Sequence, residues 1–234
     1  VFSSGDNRWH TFGRFLSRGA RKLTLYLAGG GILDTRRPTA KTSASTYVSD
    51  PSDPVPYCEV SGLRRPKEYM VADQRFLSGR PDVLTFVSEP LEEDMTLVGP
   101  VDADLEETLS TTDADFVVKL IDVWPDNTEY PGYQMLVRGD IMRGRYRRSF
   151  SAPEPFTPGE PTEVAFTMPD IAHTFRKGHR IMVQVQSSWF PLADRNPQQF
   201  VDIYRCAASD FIPCDVRIYH DRRRPSRLEV LRLR

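Results

Sequence analysis

Nineteen prolines and fourteen glycines punctuate this 234-residue chain, and they fall between short apolar runs instead of gathering in one linker. Each proline fixes φ and removes a backbone donor, so a helical bundle would be broken at short intervals. Short strands joined by turns tolerate the same spacing. The apolar residues agree. Leu23, Leu25 and Leu27 alternate with Thr24 and Tyr26, and Ile181, Val183 and Val185 alternate with Met182, Gln184 and Gln186. This is the period-two pattern of a strand with one buried and one wet face. Further strand signals lie at about 82–87, 95–101, 115–123, 133–138, 163–166, 180–186, 215–219 and 227–233, giving eight or nine strands with 23–27 included. Residues 35–46 read as a polar surface loop, Gly29–Gly30–Gly31 as a turn, and 50–56 as an extended proline-bearing segment. Strong helical periodicity and internal repeats are absent. The expected fold is all-β, a jelly-roll β-sandwich.

Charge narrows the classes of partner. With 31 Lys+Arg against 32 Asp+Glu the net charge is −1, which argues against a nucleic-acid or membrane-surface protein. The 39% hydrophobic content supports a sizeable core and argues against disorder. No apolar stretch approaches the roughly 18 residues of a membrane-spanning helix, so the chain is expected to be soluble. No secretion signal is readable at the amino terminus. The address is therefore cytoplasmic or set by sequence outside the chain, which starts at Val1 in what reads as a strand and is expected to be a piece of something longer. Locally the charge is segregated. Ten acidic residues and no basic one lie between Glu89 and Asp115, whereas five arginines and one aspartate lie between Arg138 and Arg148. The acidic run lacks the loop spacing of a calcium site and is expected to be a solvated rim facing the basic segments.

The familiar catalytic signatures are missing. No serine sits in Gly-x-Ser-x-Gly, whose small flanking residues permit a strained nucleophile turn. Phosphate- and dinucleotide-binding glycine patterns are absent as well. His173 and His179 are six residues apart and separated by Lys177-Gly178. They are expected to be structural histidines bonding the backbone, with no metal and no cofactor. Nothing in the sequence points to a triad built on His220. Cys58, Cys206 and Cys214 lack zinc-site spacing and are expected to be free thiols, with a Cys206–Cys214 bridge the lesser alternative. The most suggestive stretch is 187–197, where a core strand runs into a loop carrying Trp189, Phe190, Asp194, Arg195 and Asn196. Loop aromatics beside polar groups can line a pocket. Equally, Trp189 and Phe190 can cap the sandwich edge while Asp194 and Arg195 pin the loop.

Taken in order, several longer runs resemble a known family. They are 168–181 (MPDIAHTFRKGHRI), 184–191 (QVQSSWFP) and 194–198 (DRNPQ), together with 47–51 (YVSDP), 54–57 (PVPY), 73–76 (DQRF), 80–84 (RPDVL), 113–123 (DADFVVKLIDV), 133–139 (YQMLVRG) and 143–147 (RGRYR). The chain resembles, over nearly its whole length, the C-terminal region of the X-Pro dipeptidyl-peptidase and cocaine-esterase (CocE/NonD) class of serine hydrolases. Within that class it is most similar to the α-amino-acid ester hydrolases and glutaryl-cephalosporin acylases. The resemblance implies a galactose-binding-like jelly roll over 23–234, packed against an α/β-hydrolase domain of the same chain. Residues 1–22 would then be the end of the last hydrolase strand and the crossing segment, with Trp9, Phe12 and Phe15 as aromatic anchors. The Ser-His-Asp triad would lie upstream of Val1, so that no catalytic residue is assigned here and the fragment alone would be inactive.

Under that resemblance, Trp189, Phe190, Asp194, Arg195, Asn196 and Trp9 are candidates for the substrate pocket or the domain interface. An apolar patch is expected near Trp9, Phe12 and Trp189 where the hydrolase domain would sit, and homo-oligomers are a further expectation. The alternative is a free-standing carbohydrate- or partner-binding jelly-roll module, which would start with its own Met or signal peptide.

Overall fold

The computed structural model describes residues 1–11, 19–59 and 65–233. Thirteen strands follow one another: β1 Phe2–Ser3, β2 Arg8–Trp9, β3 Ala20–Ala28, β4 Ile32–Asp34, β5 Ala44–Ser49, β6 Leu84–Val87, β7 Met95–Leu109, β8 Asp115–Val123, β9 Gln134–Arg143, β10 Thr162–Phe175, β11 Arg180–Gln186, β12 Cys214–Tyr219 and β13 Arg227–Leu233. The only helical elements among the described residues are 3-10 turns, including Lys67–Val71 and Gln74–Leu77. β1 and β2 form a hairpin, and the other eleven strands form one ladder, in the order β5-β12-β7-β13-β3-β4-β6-β11-β8-β9, with β10 on β7. All pairings are antiparallel except a single parallel one between Ile32 of β4 and Val87 of β6. The ladder turns over so that β10 contacts β9, which makes the flattened, sandwich-like closure of a jelly roll.

The strand count exceeds the sequence expectation because polar and short strands carry a weak apolar signal. Residues 44–49 were expected to divide between a loop and its flank, yet they pair with β12 from Ala44–Tyr219 to Ser49–Cys214. Tyr47 and Ser49 point inward there, and edge strands can be polar on the other side. β7 and β10 are much longer than expected, running past Gly99 and Pro169 with a register shift between Met168 and Ile171. A bulge of this kind lets one strand bend across the end of a sandwich.

The main core lies between the two layers, where Leu27, Leu97, Leu105, Phe116, Leu120, Phe175, Val183 and Val185 lose essentially all solvent contact. The other face of β8 and β11 departs from expectation. Met182, Gln184 and Gln186 form the predicted wet side of β11, and all three are buried. A second cluster covers them, built from Tyr57, Cys58, Val117, Ile121, Leu136, Met182 and Trp189. The covering chain is a strap from Lys67 to Leu77 together with 55–58 and the 188–192 loop. Sequence alternation reports one strand's polarity and is blind to a distant segment laid across it.

Candidate functional site

The loop singled out in the sequence leaves β11 at Ser187 and is sewn into the domain by its polar groups. Asn196, 4% exposed, donates from Nδ2 to Asp113 at 3.0 Å and Asp115 at 2.8 Å. Arg145 donates from Nε to Asp113 at 2.7 Å and reaches the Val201 carbonyl at 2.8 Å. Arg143 pairs with Asp115 at 3.2 Å and donates to the Asp194 carbonyl. Burial pushes both carboxyls up, Asp115 to about 6, against the attraction of the arginines. Two buried acids, Asp113 in the β7–β8 connection and Asp115 at the start of β8, are thus held by two arginines and one amide, a geometry that leaves few lone pairs unmet.

This network revises the reading of the acidic run. Asp113 and Asp115 meet the basic segment as expected, whereas Asp94 and Asp104 pair with Arg176 and Arg227 outside it, and Asp104, Glu107, Asp113 and Asp115 are buried instead of forming a solvated rim. Both Glu107 oxygens lack a hydrogen-bond partner among the described residues, and burial raises its pKa to about 8. Asp104, Glu106 and Glu163 bring carboxylate oxygens within 4.8 Å of one another, and Arg227 already pairs with Asp104.

Trp189 is 6% exposed and lies over the second face of the sheet. Its ring stands where a Cβ on Gly139 would come within 2.8 Å, so the glycine makes room for it. Lys119 lies beneath, fully buried, with its Nζ donating to Gln74 Oε1 at 3.1 Å and 5.5 Å from the Trp189 ring centroid. Burial without a counter-charge lowers this amine to about 7. Phe190 remains 38% exposed beside Arg195, whose Nη1 donates to the Pro51 carbonyl at 2.8 Å. The Asp194 side chain is exposed, and its backbone is what anchors the loop. Trp189 and Asn196 therefore support the loop from below, and Phe190, Asp194 and Arg195 remain at its surface. The strap adds exposed Met70 and Val71, which no sequence signal marked.

The amino-terminal hairpin presents Trp9, 78% exposed, stacked at 5.5 Å on Phe2. Phe12 and Phe15 lie outside the described residues. The hairpin is locked to β10 by backbone bonds from Ser4 N to Ala172 O and from Thr174 N to Ser4 O. Gly5 follows with φ +86, where a Cβ would collide with the Thr174 carbonyl. Ser4 Oγ lies 2.8 Å from His173 Nδ1, His173 Nε2 lies 3.0 Å from Asp122, and His179 Nδ1 lies 2.8 Å from the other Asp122 oxygen. The two histidines outweigh the burial of Asp122 and hold its carboxyl below the usual range. An ionised Asp122 accepts from both rings, and Ser4 Oγ, which donates to the Ala172 carbonyl at 3.3 Å, lies against the other nitrogen of His173. The histidines thus bond a buried carboxylate and a serine, not the backbone as expected. His173 has no exposed surface and could not pass a proton to a leaving group. Despite its Ser-His-Asp order the arrangement is a clasp on the incoming strand. His220 bonds Ser45 at 3.0 Å and takes no part. Cys206 and Cys214 are not joined by a disulfide.

Comparison with known proteins places this geometry. The model of the X-Pro dipeptidyl-peptidase C-terminal non-catalytic domain matches residues 1–229. The chain belongs to that family. It is 41% identical over 168 residues to a cocaine esterase of Rhodococcus sp. (strain MB1 Bresler), covering 72% of this chain and 28% of the esterase. Solved structures match it over its entire length, two of them at high identity. One is an aminopeptidase from a marine sediment Thaumarchaeota archaeon, at a TM-score of 0.95 and 38% identity. The other is an α-amino acid ester hydrolase, at a TM-score of 0.92 and 41% identity. The chain spans 40% of each of those two proteins. It is a C-terminal non-catalytic domain of the CocE/NonD and X-Pro dipeptidyl-peptidase-like hydrolases.

Proposed function

We propose that this domain completes a serine hydrolase of the α/β-hydrolase type, acting on an acyl ester or amide, whose Ser-His-Asp triad lies outside residues 1–234. In such an enzyme the serine attacks the carbonyl, the histidine moves the proton and an oxyanion hole takes the developing charge. The domain supplies walls. Trp9 and Phe2 meet the hydrolase domain, while Phe190, Asp194 and Arg195 border the pocket on a loop that Trp189 and Asn196 hold in place. Rigid walls exclude water from the acyl-enzyme. Association of whole enzymes through exposed faces belongs to the same reading. The observation that carries it is the coverage: a chain with 40% of the length of its solved relatives, whose one Ser-His-Asp arrangement among the described residues is a buried clasp.

The test is to label the full-length protein with a fluorophosphonate and map the adduct by mass spectrometry. The expected adduct is on a serine outside 1–234, with activity toward an α-amino-acid ester and none in residues 1–234 expressed alone. An adduct on Ser4, or ester hydrolysis by the isolated chain, overturns the proposal.

A further inference from the structure

We infer that the amino-terminal strand and the Lys67–Leu77 strap are coupled through one polar and aromatic network, so that each fixes the position of the other. At one end Ser4 bonds His173, and Asp122 joins His173 to His179. The His179 ring then lies 5.4 Å from Trp124 by ring centroids, tilted at 38°. Trp124 meets Tyr133 edge-on at 5.6 Å, and Trp124 N donates to the Tyr133 carbonyl at 2.8 Å. The Tyr133 hydroxyl donates to the Val71 carbonyl of the strap. Beside it Gln134 N donates to Asp73 at 3.3 Å, and Arg75 reaches the Pro131 carbonyl at 3.0 Å. Asp122, His173 and His179 are buried and Ser4, Trp124 and Tyr133 are half-buried, and the links are side-chain hydrogen bonds, ring contacts and the backbone bond between Trp124 and Tyr133. A shift at Ser4 passes to Trp124 through the buried Asp122, His173 and His179, and from there to Tyr133 by ring contact and one backbone hydrogen bond.

The consequence is a mutual constraint between the two ends of the domain. The strap carries the exposed pair Met70 and Val71, and it covers Trp189 and Lys119. The segment arriving through Ser4 sets where that surface stands. The inference uses only contacts within this chain and holds whether or not the preceding domain carries a nucleophile.

Coupling is reciprocal by thermodynamic necessity, which gives a sharp test in the full-length protein. Ser4→Ala and Tyr133→Phe each delete one hydroxyl at opposite ends and spare the buried carboxylate. Amide hydrogen exchange is followed at Ala72 and Gln134 for the first variant and at Ser4 and Thr174 for the second. The expected result is roughly two-fold or faster exchange at the remote end in both variants, by matching factors. In a Trp124→Leu background the remote effect should disappear while the local one stays. Acceleration confined to each variant's own end, or transfer in one direction only, overturns the inference. Any loss of folding would accelerate all amides together and is recognised by the β8 and β11 amides, which should not change.

Discussion

Two buried ionisable side chains give this domain opposite responses to pH. Lys119 titrates near 7 in the fold against 10.5 in an unfolded chain, so between those values the unfolded state binds more protons. Its contribution to stability rises with pH from about 7 upward. Glu107 titrates near 8 in the fold against 4.5, so the folded state holds the extra proton and its contribution falls as pH rises from 4.5 to 8. Urea unfolding of Lys119→Met should therefore lose the rise between pH 7 and 10, and Glu107→Gln should lose the fall between pH 5 and 8. Unchanged slopes would mean that water solvates both groups. Asn196→Ala deletes the amide shared by Asp113 and Asp115 and should cost about 1–3 kcal/mol in the same assay. None of this was readable from the chain alone. An Asn, a Lys and a Glu carry no burial signal, and in strands they are ordinarily solvent-facing.

Among the elements, β8 and β11 show why a period-two reading succeeds on one face and fails on the other. Ile181, Val183 and Val185 face the core as expected. Gln184 and Gln186 are buried because the strap and Trp189 lie across them, and their Oε1 atoms lack a hydrogen-bond partner among the described residues. The fit of β9 beneath that cover is tight at Gly139. Gly139→Ala would press on Trp189 and on Lys119 Cγ, 3.3 Å from the new Cβ, and should destabilise by about 1–3 kcal/mol. The shift should be visible as altered Trp189 fluorescence, taken against a Trp189→Phe control. An unperturbed spectrum with unchanged stability would show that the loop lifts freely. Strands β5 and β10 make the complementary point: their ends are set by pairing with β12 and β7, and their own residues signal only fragments of them.

For the molecule as a whole, Phe2 and Trp9 stand exposed against one another on the amino-terminal hairpin. Large apolar side chains stacked together at a surface mark an interaction site. Residues 1–234 expressed alone should self-associate, and Phe2→Ser with Trp9→Ser should shift the population toward monomer in analytical ultracentrifugation. If both forms sediment alike, the hairpin is not the contact surface.

The sequence by itself determined the all-β class, the main core and the family. Alternation, turn residues and ordered motifs are local properties that survive without a partner segment. Tertiary structure alone decided which polar residues lie inside, because burial depends on what a distant segment covers. Ser4, Asp122 and the His173–His179 pair lie far apart along the chain and meet only in the folded domain, where β10 runs beside β7 and receives the amino-terminal segment through the Ser4–His173 bridge. The same holds for the candidate site. All its residues but Trp9 were named from one loop, and the strap that covers Trp189 comes from a segment more than a hundred residues earlier.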